Sequence, residues 1–366
     1  MITRNMPYTD IKIKGVNYSY QDLLFFSELK INDETVPDWE KSIYRFILEW
    51  IDNNDSIGVN TSGSTGSPKL IWLKKTRMLA SAMATNSFFQ LDTSKKVLLC
   101  LSSDFIAGKM MIVRAFVGGF DLHYIEPSST SLLSILDEYD FAAAVPFQLE
   151  TAFKSENSQI LNNIKRLIVG GAAVRSDLMA ILDYVETEIW ATYGMTETIT
   201  HVALQALNGR GKKDYFKAIE GVEFEIDERD CLKIFAPNIS PETIQTNDRV
   251  DLINAKEFRF LGRIDFVINS GGIKFSPENL EQKIATYLER NFVFSAVPDD
   301  VFGEKLVLVI EGPRYIDEII DEIKFAMKKE LSRFEQPKDV LFIPVLPKNE
   351  NGKLDRNKIK QLISKK

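Results

Sequence analysis

Histidine and cysteine are nearly missing from this 366-residue sequence, which has two of each: His123, His201, Cys100 and Cys231. So few imidazoles cannot build a histidine-rich metal site, and two distant thiols make neither a zinc knuckle nor a disulfide framework. The cysteines read as core residues in a reducing compartment. No apolar run approaches the roughly 20 residues that cross a bilayer. The opening MITRNMPYTDIKIKG lacks the hydrophobic stretch of a secretory signal. Both absences point to a cytoplasmic protein without a membrane span. An excess of positive charge is also lacking. Lys and Arg number 45 against 52 Asp and Glu, for a formal net charge of -7, and no basic tail or arginine stripe stands out. Nucleic acid is therefore not an expected partner. Internal repeats and low-complexity linkers are absent.

What is present is a globular composition, 45% hydrophobic and 27% charged, over a length that suits two domains. The spacing predicts a helical preface over residues 8–50 and a strand over 55–60. LIWLKK reads as a strand, TRMLASAMATNSFFQL as a helix, KKVLLCLS as a strand, residues 108–117 as a helix and FDLHYI as a strand. Residues 131–139 read as helix, AAAV as strand, FQLETAFK as helix, RLIVGG as strand, RSDLMAILDYV as helix and EIWATYG as strand. Such alternation predicts an α/β core with a parallel sheet, whose strand ends carry the ligand site. After residue 215 the short strands VEFEID, CLKIFAP and FRFLG predict a β-rich subdomain, and residues 266–366 a small α+β unit. The expected division is a large domain over 1–262 and a mobile C-terminal domain over 263–366, joined near Gly262–Asp265.

The sharpest local signal is Thr61-Ser62-Gly63-Ser64-Thr65-Gly66-Ser67-Pro68-Lys69. Glycines and small hydroxyl residues let backbone amides approach an anion, the hydroxyls add donors, and Lys69 adds charge. That chemistry suits the phosphates of ATP. The loop is not a P-loop, because no Ser or Thr follows its lysine.

This loop resembles the phosphate loop of the adenylate-forming superfamily, which includes acyl-CoA synthetases, luciferases and adenylation domains. Further motifs follow in order from about residue 55 to the end. Gly170-Gly171-Ala172, opening GGAAV, resembles the adenine-pocket segment, and Tyr193-Gly194-Met195-Thr196-Glu197-Thr198 the aromatic–Gly–x–Thr–Glu motif. Asp248 stands at the ribose-binding position, and Gly262-Arg263-Ile264-Asp265 resembles the hinge. Ser270-Gly271-Gly272 with Lys274, and Pro277-Glu278 with Glu281, resemble the opening of the mobile domain. Asn351-Gly352-Lys353-Leu354-Asp355-Arg356 resembles the loop of the terminal catalytic lysine.

The resemblance implies a role for each residue. Thr61 to Gly66 and Lys69 would hold the pyrophosphate end of ATP, and Tyr193 would stack on adenine beside Gly170, Gly171 and Ala172. Asp248 would accept the ribose hydroxyls with Arg263 beside it. Thr196 would meet the α-phosphate or the substrate carboxylate. Glu197 would hold Mg²⁺, a hard cation that prefers oxygen ligands. Lys353 would bridge carboxylate and α-phosphate oxygens and stabilise charge as the acyl oxygen attacks phosphorus. The small domain would then rotate about Asp265, so that Ser270, Gly271, Gly272 and Lys274 help form a tunnel for coenzyme A.

The segment before the phosphate loop is short, and Asp104-Phe105-Ile106-Ala107-Gly108-Lys109-Met110-Met111 replaces a histidine-containing motif of other members. Both traits resemble the compact o-succinylbenzoate–CoA ligases of menaquinone biosynthesis. A small aromatic acid with a second carboxylate needs a buried cation or several donors. Lys109 and Arg114 are the candidates, with Ser102, Phe105, Met195 and His201 completing the acyl pocket. On this reading the partners are ATP, Mg²⁺, coenzyme A and the acid. The alternatives are another aryl- or acyl-CoA ligase, an adenylation enzyme that loads a carrier protein, and a non-catalytic nucleotide-binding regulator. The oligomeric state is not legible.

Overall fold

A computed structural model describes residues 10–60, 70–172, 174, 176–299, 303–348 and 354–364. The phosphate loop at 61–69 and Lys353 lie outside the described residues. The chain begins with a hairpin, β1 (Ile11–Ile13) and β2 (Val16–Tyr18), and continues through α1 (Tyr20–Asn32) and α2 (Asp38–Ile51). A second hairpin follows, β3 (Ser56–Asn60) and β4 (Leu70–Lys74). Next come α3 (Lys75–Phe88), β5 (Lys96–Leu99), α4 (Ile106–Gly118) and β6 (Asp121–Tyr124). The alternation runs on through β7 (Tyr139–Ala144), α5 (Pro146–Lys154), β8 (Ile164–Val169), α6 (Ser176–Met179) and β9 (Glu188–Gly194). A meander succeeds it: β10 (His201–Ala206), β11 (Phe216–Ala218), β12 (Glu223–Ile226), β13 (Cys231–Phe235), β14 (Ile244–Asn254) and β15 (Glu257–Arg263).

These strands, other than the hairpin of β3 and β4, form one 13-stranded sheet ordered β12-β13-β14-β15-β11-β10-β9-β8-β7-β5-β6-β1-β2. From β9 to β1 the neighbours are parallel; from β9 to β12 they are antiparallel. KVLL, YDFAAA and IKRLIV are nearly continuous apolar runs because both faces of the parallel part are covered. Val97 and Leu99 of β5 join one core, with α2, α3 and α4, while Leu98 joins the other, with α5. The chain leaves β5 for β6 on one side and returns as β7 on the other. That reversal is the kind of switch point where open α/β sheets bind ligands.

Sheet and helix come from ordinary local chemistry. Helix α2 buries Ile43, Phe46, Ile47, Trp50 and Ile51, one stripe of a 3.6-residue repeat, and carries Asp38 and Glu40 in its first turn. Helix α4 buries every residue from Gly108 to Phe116 and ends at Gly119 with φ 64. Gly108 is obligatory there, since a Cβ would lie 2.1 Å from the Ser102 carbonyl oxygen.

A smaller unit follows: β16 (Ile268–Ser270), β17 (Ile273–Phe275), α7 (Pro277–Ile284), β18 (Phe292–Asp299), β19 (Gly303–Glu311), α8 (Asp317–Glu330), β20 (Asp339–Ile343) and α9 (Arg356–Ile363). Its five strands form a separate sheet. Leu306, Leu308 and Ile310 of β19 face the core of α7 and α8, while Val307 and Val309 face that of α9. The architecture is thus a large α/β domain with a mixed sheet and a small β-rich C-terminal one.

Four stretches depart from the expected pattern; in one, RSDLMAILDYV, read as a single helix, α6 holds only Ser176–Met179 and a separate 3₁₀ turn holds Leu182–Tyr184. Residues 11–18 form a hairpin rather than a helix, turned by Lys14 (φ 47) and Gly15 (φ 83), and it extends the main sheet. Residues 131–139 hold a 3₁₀ turn at Ser131–Ser134 in place of the helix, and Tyr139 already opens β7. The longest strand, β14, falls on IQTNDRVDLIN, whose charges hid it.

Candidate active site

The residues that the resemblance assigns to the nucleoside meet where β9, β14 and β15 come together. Tyr193, nearly the last residue of β9, is buried and its hydroxyl donates to Asp248 Oδ2 at 2.5 Å. Asp248 on β14 pairs across the ladder with Arg263 of β15. Arg263 Nη1 lies 3.4 Å from Asp248 Oδ1, and its Nη2 donates to Asp265 at 2.5 Å. Burial pushes the Asp248 carboxyl above the usual carboxylate range, opposed by the Tyr193 hydroxyl and the Arg263 charge. Burial and the nearby Asp248 push the Tyr193 phenol well up, so it stays a donor. Gly170 has no room for a side chain, because a Cβ would lie 2.2 Å from Thr192 Oγ1; Gly171 has φ 87. These two glycines and Ala172 cap β8 beside β9.

Between β9 and β10 the motif turns tightly. Thr198 Oγ1 accepts from the Met195 amide at 2.8 Å and donates to the Thr200 carbonyl at 2.7 Å. A Cβ on Gly194 would lie 2.2 Å from that same carbonyl oxygen. The turn leaves Thr196 half-buried and Glu197 exposed. Among the described residues no group of three His, Cys, Asp or Glu could hold a metal. A single exposed carboxylate fits Mg²⁺ only as one ligand of an ion held mainly by phosphate and water.

β3 and β4 flank residues 61–69. β3 and β4 pair antiparallel up to Asn60 opposite Leu70, which sets residues 60 and 70 side by side. Buried Lys75 pins the base of that hairpin, donating to Asp52 Oδ1 at 2.7 Å. The flanks of Lys353 are likewise fixed. Lys348 bridges Leu354, and the Asp355 amide donates to the Pro347 carbonyl at 2.9 Å. Lys348 Nζ lies 5.9 Å from the ring of Phe147 on α5. The base of the lysine loop therefore stands against the large domain, at the C-terminal ends of its strands.

Among the residues expected to line an acyl pocket, Ser102 Oγ is taken by Asp104 Oδ2 at 2.9 Å, and Phe105 is exposed. The two candidate cations, both on α4, have different surroundings. Lys109 sits 3.5 Å from Glu49 and 4.4 Å from the Phe46 ring centroid, both on α2. Arg114 is 2% exposed, with Nη2 3.4 Å from Thr200 Oγ1 and Nη1 3.6 Å from Met111 Sδ. Its Nε has no hydrogen-bond partner. Among the described residues no acidic group offsets the burial, which pulls its pKa down to about 9, so it remains a cation at neutral pH. His201 is buried beside it, bonded through Nε2 to Thr85 Oγ1 at 3.1 Å. Burial, then the Arg114 charge, drives its pKa well below the usual value, so it is neutral. Met195 packs half-buried against the same core.

Ser270, Gly271, Gly272 and Lys274 form the tip of the β16–β17 hairpin. Both glycines have positive φ, 61 and 81, as a two-residue hairpin turn requires. The sequence alone missed Glu49, Thr200 and Asn247, whose partners lie far away in the chain.

The comparisons with known proteins bear on this geometry. A family model described as AMP-binding enzyme matches residues 12–233. The 2-succinylbenzoate–CoA ligase of Listeria monocytogenes serovar 1/2a is 26% identical, over 93% of this chain and 75% of that one. A solved acyl-CoA synthetase (AMP-forming)/AMP-acid ligase II-like protein from Dyadobacter fermentans is 31% identical, with TM-score 0.61, covering 92% of this chain and 97% of its own. The o-succinylbenzoate coenzyme A synthetase of Bacillus subtilis, solved with ATP and magnesium, shares the fold. Its TM-score is 0.69 at 19% identity, over 83% of this chain and 69% of its own.

Proposed function

This chain belongs to the AMP-binding enzyme family, and from that premise we propose that it is an AMP-forming ligase joining o-succinylbenzoate to coenzyme A. The carboxylate of the acid attacks the α-phosphorus of ATP and pyrophosphate leaves. The thiol of coenzyme A then attacks the acyl carbon of the mixed anhydride and AMP leaves. No side-chain nucleophile is needed. Tyr193 and Asp248 hold the nucleoside, with Arg263 fixing the aspartate. Thr61 to Gly66 and Lys69 hold the phosphates, and Lys353 with Thr196 neutralises charge at the reacting oxygens. Mg²⁺, held by the phosphates and Glu197, would stabilise the departing pyrophosphate.

The observation that carries the choice of acid is Arg114: a buried guanidinium with no acidic partner among the described residues, beside the Met195–Thr200 turn. A substrate with a second carboxylate would supply the missing charge. The relatives named 2-succinylbenzoate–CoA ligase support the same choice.

The test is incubation of purified protein with Mg-ATP, coenzyme A and o-succinylbenzoate, with AMP and acyl-CoA followed by mass-resolved chromatography. The expected products are AMP and o-succinylbenzoyl-CoA, both reduced roughly 10²–10³-fold by Lys353→Ala. Acyl-AMP without acyl-CoA would redirect the search to another thiol, such as a carrier protein. No AMP from folded protein with this acid would reject it as substrate.

A further inference from the structure

The backbone passes between the two sheets once among the described residues, over 264–267: β15 ends at Arg263 and β16 starts at Ile268. Asp265, in that joint, has both carboxylate oxygens engaged by side chains of the large sheet. Arg263 Nη2 donates to Oδ2 at 2.5 Å, and Asn247 Nδ2 donates to Oδ1 at 3.0 Å. Asn247 precedes Asp248 on β14, and its own Oδ1 accepts from Arg229 Nη1 at 3.1 Å. Arg229 is fixed in turn, donating through Nε and Nη2 to Asp227 at 2.9 and 2.7 Å, and to the Thr246 carbonyl at 3.1 Å. A cation on one side and an anion on the other leave the amide of Asn247 a single orientation. No other common side chain of that length both accepts from Arg229 and donates to Asp265.

We propose that Asn247 is a positioning residue that fastens the inter-sheet joint to the nucleoside-binding strand and so favours the arrangement in which acyl-adenylate forms. The choice between two arrangements rests on the ligase reading above; the fastening rests on the bonds themselves. In the arrangement seen here, the base of the Lys353 loop stands against Phe147. On this proposal the Asn247–Asp265 bond breaks when the joint turns to present the Ser270–Lys274 hairpin instead.

Three measurements on wild type, Asn247→Ala and Asn247→Asp test this. The aspartate variant keeps an acceptor for Arg229 but sets a carboxylate against Asp265. Pyrophosphate exchange reads adenylate formation, single-turnover reaction of prepared acyl-AMP with coenzyme A reads thioester formation, and hydrogen exchange reads the amides at 264–268. We expect both variants to slow adenylate formation about threefold to tenfold, the scale of one lost hydrogen bond, with KM for ATP unchanged. Thioester formation should hold or quicken, and the joint amides should exchange faster, most in Asn247→Asp. Equal losses in both half-reactions, or a loss through KM for ATP alone, would overturn the proposal. A wild type that carries out neither half-reaction would sink the ligase reading. Hydrogen exchange then still judges the fastening, and unchanged rates in both variants would reject it.

Discussion

In the cluster of Tyr193, Asp248 and Arg263 each charged side chain meets its complement within the protein. Asp248 has Tyr193 and Arg263, and Arg263 also has Asp265. On α4, Arg114 is as deeply buried, yet among the described residues it meets the Thr200 hydroxyl and a thioether and no acid. A buried, unpaired cation is costly, and replacing it by a hydrophobic residue of similar volume is often neutral or stabilising. The contrast separates two kinds of design. On the proposed function, the first cluster is complete before ligand arrives and is preorganised for a ligand that brings hydroxyls. The second lacks one anion and fits a ligand that brings it.

The sharpest way to break this contrast is Arg114→Met. If the second carboxylate of the acid completes the site, kcat/KM for o-succinylbenzoate falls roughly 30- to 5,000-fold, the range for losing one partner of a buried charge pair. An aryl acid with one carboxylate should lose less than about twofold, and the melting temperature should hold or rise. A lower melting temperature with equal losses for both acids would make Arg114 a structural group and erase the distinction.

Asp248→Asn probes the other end with a smaller effect. The variant keeps the shape and one acceptor oxygen but loses the charge facing Arg263. KM for ATP should rise about tenfold, as for a weakened hydrogen bond to a charged group, while KM for the acid stays within about twofold. A rise in the acid's KM instead would mean that the two ends are not independent.

The two ends also differ in how much the sequence revealed. Tyr193, Asp248 and Arg263 belong to local motifs, and the structure brings them within hydrogen-bond reach although they come from three strands. The alternation of KVLL, YDFAAA and IKRLIV with helices announced the parallel sheet. What stayed hidden was tertiary. β14 was invisible because its polar and charged residues, Asn247, Asp248 and Arg249, break the apolar alternation by which strands are recognised. IKIKGVNY looked like part of a helical preface, yet two residues at positive φ fold it into a hairpin whose first strand is completed by β6. At the acyl end the sequence offered Lys109 and Arg114 as equals, five residues apart on one helix. Only the packing of α2 separates them, and no local pattern reports which helix will supply Glu49.

That separation supplies the smallest expected effect. Lys109 is 9% exposed but already answered, by Glu49 at 3.5 Å and the Phe46 ring at 4.4 Å. A partly exposed pair of this kind contributes about 0–1 kcal/mol, and a cation over a ring about 0.5–1 kcal/mol more at an exposed site. Methionine preserves the apolar stem that packs against α2. Lys109→Met should therefore cost about 1 kcal/mol of stability in denaturant unfolding and leave kcat/KM for the acid within about twofold. Glu49→Gln gives the reciprocal test. It releases Lys109 without moving it far, and activity should again hold, because Arg114 lacks the partner and Lys109 does not. A collapse of activity in Lys109→Met, matched by a gain in Glu49→Gln, would mean that Glu49 withholds a second substrate cation. The acyl end would then contain a paired charge as well, and pairing would no longer distinguish it from the nucleoside end.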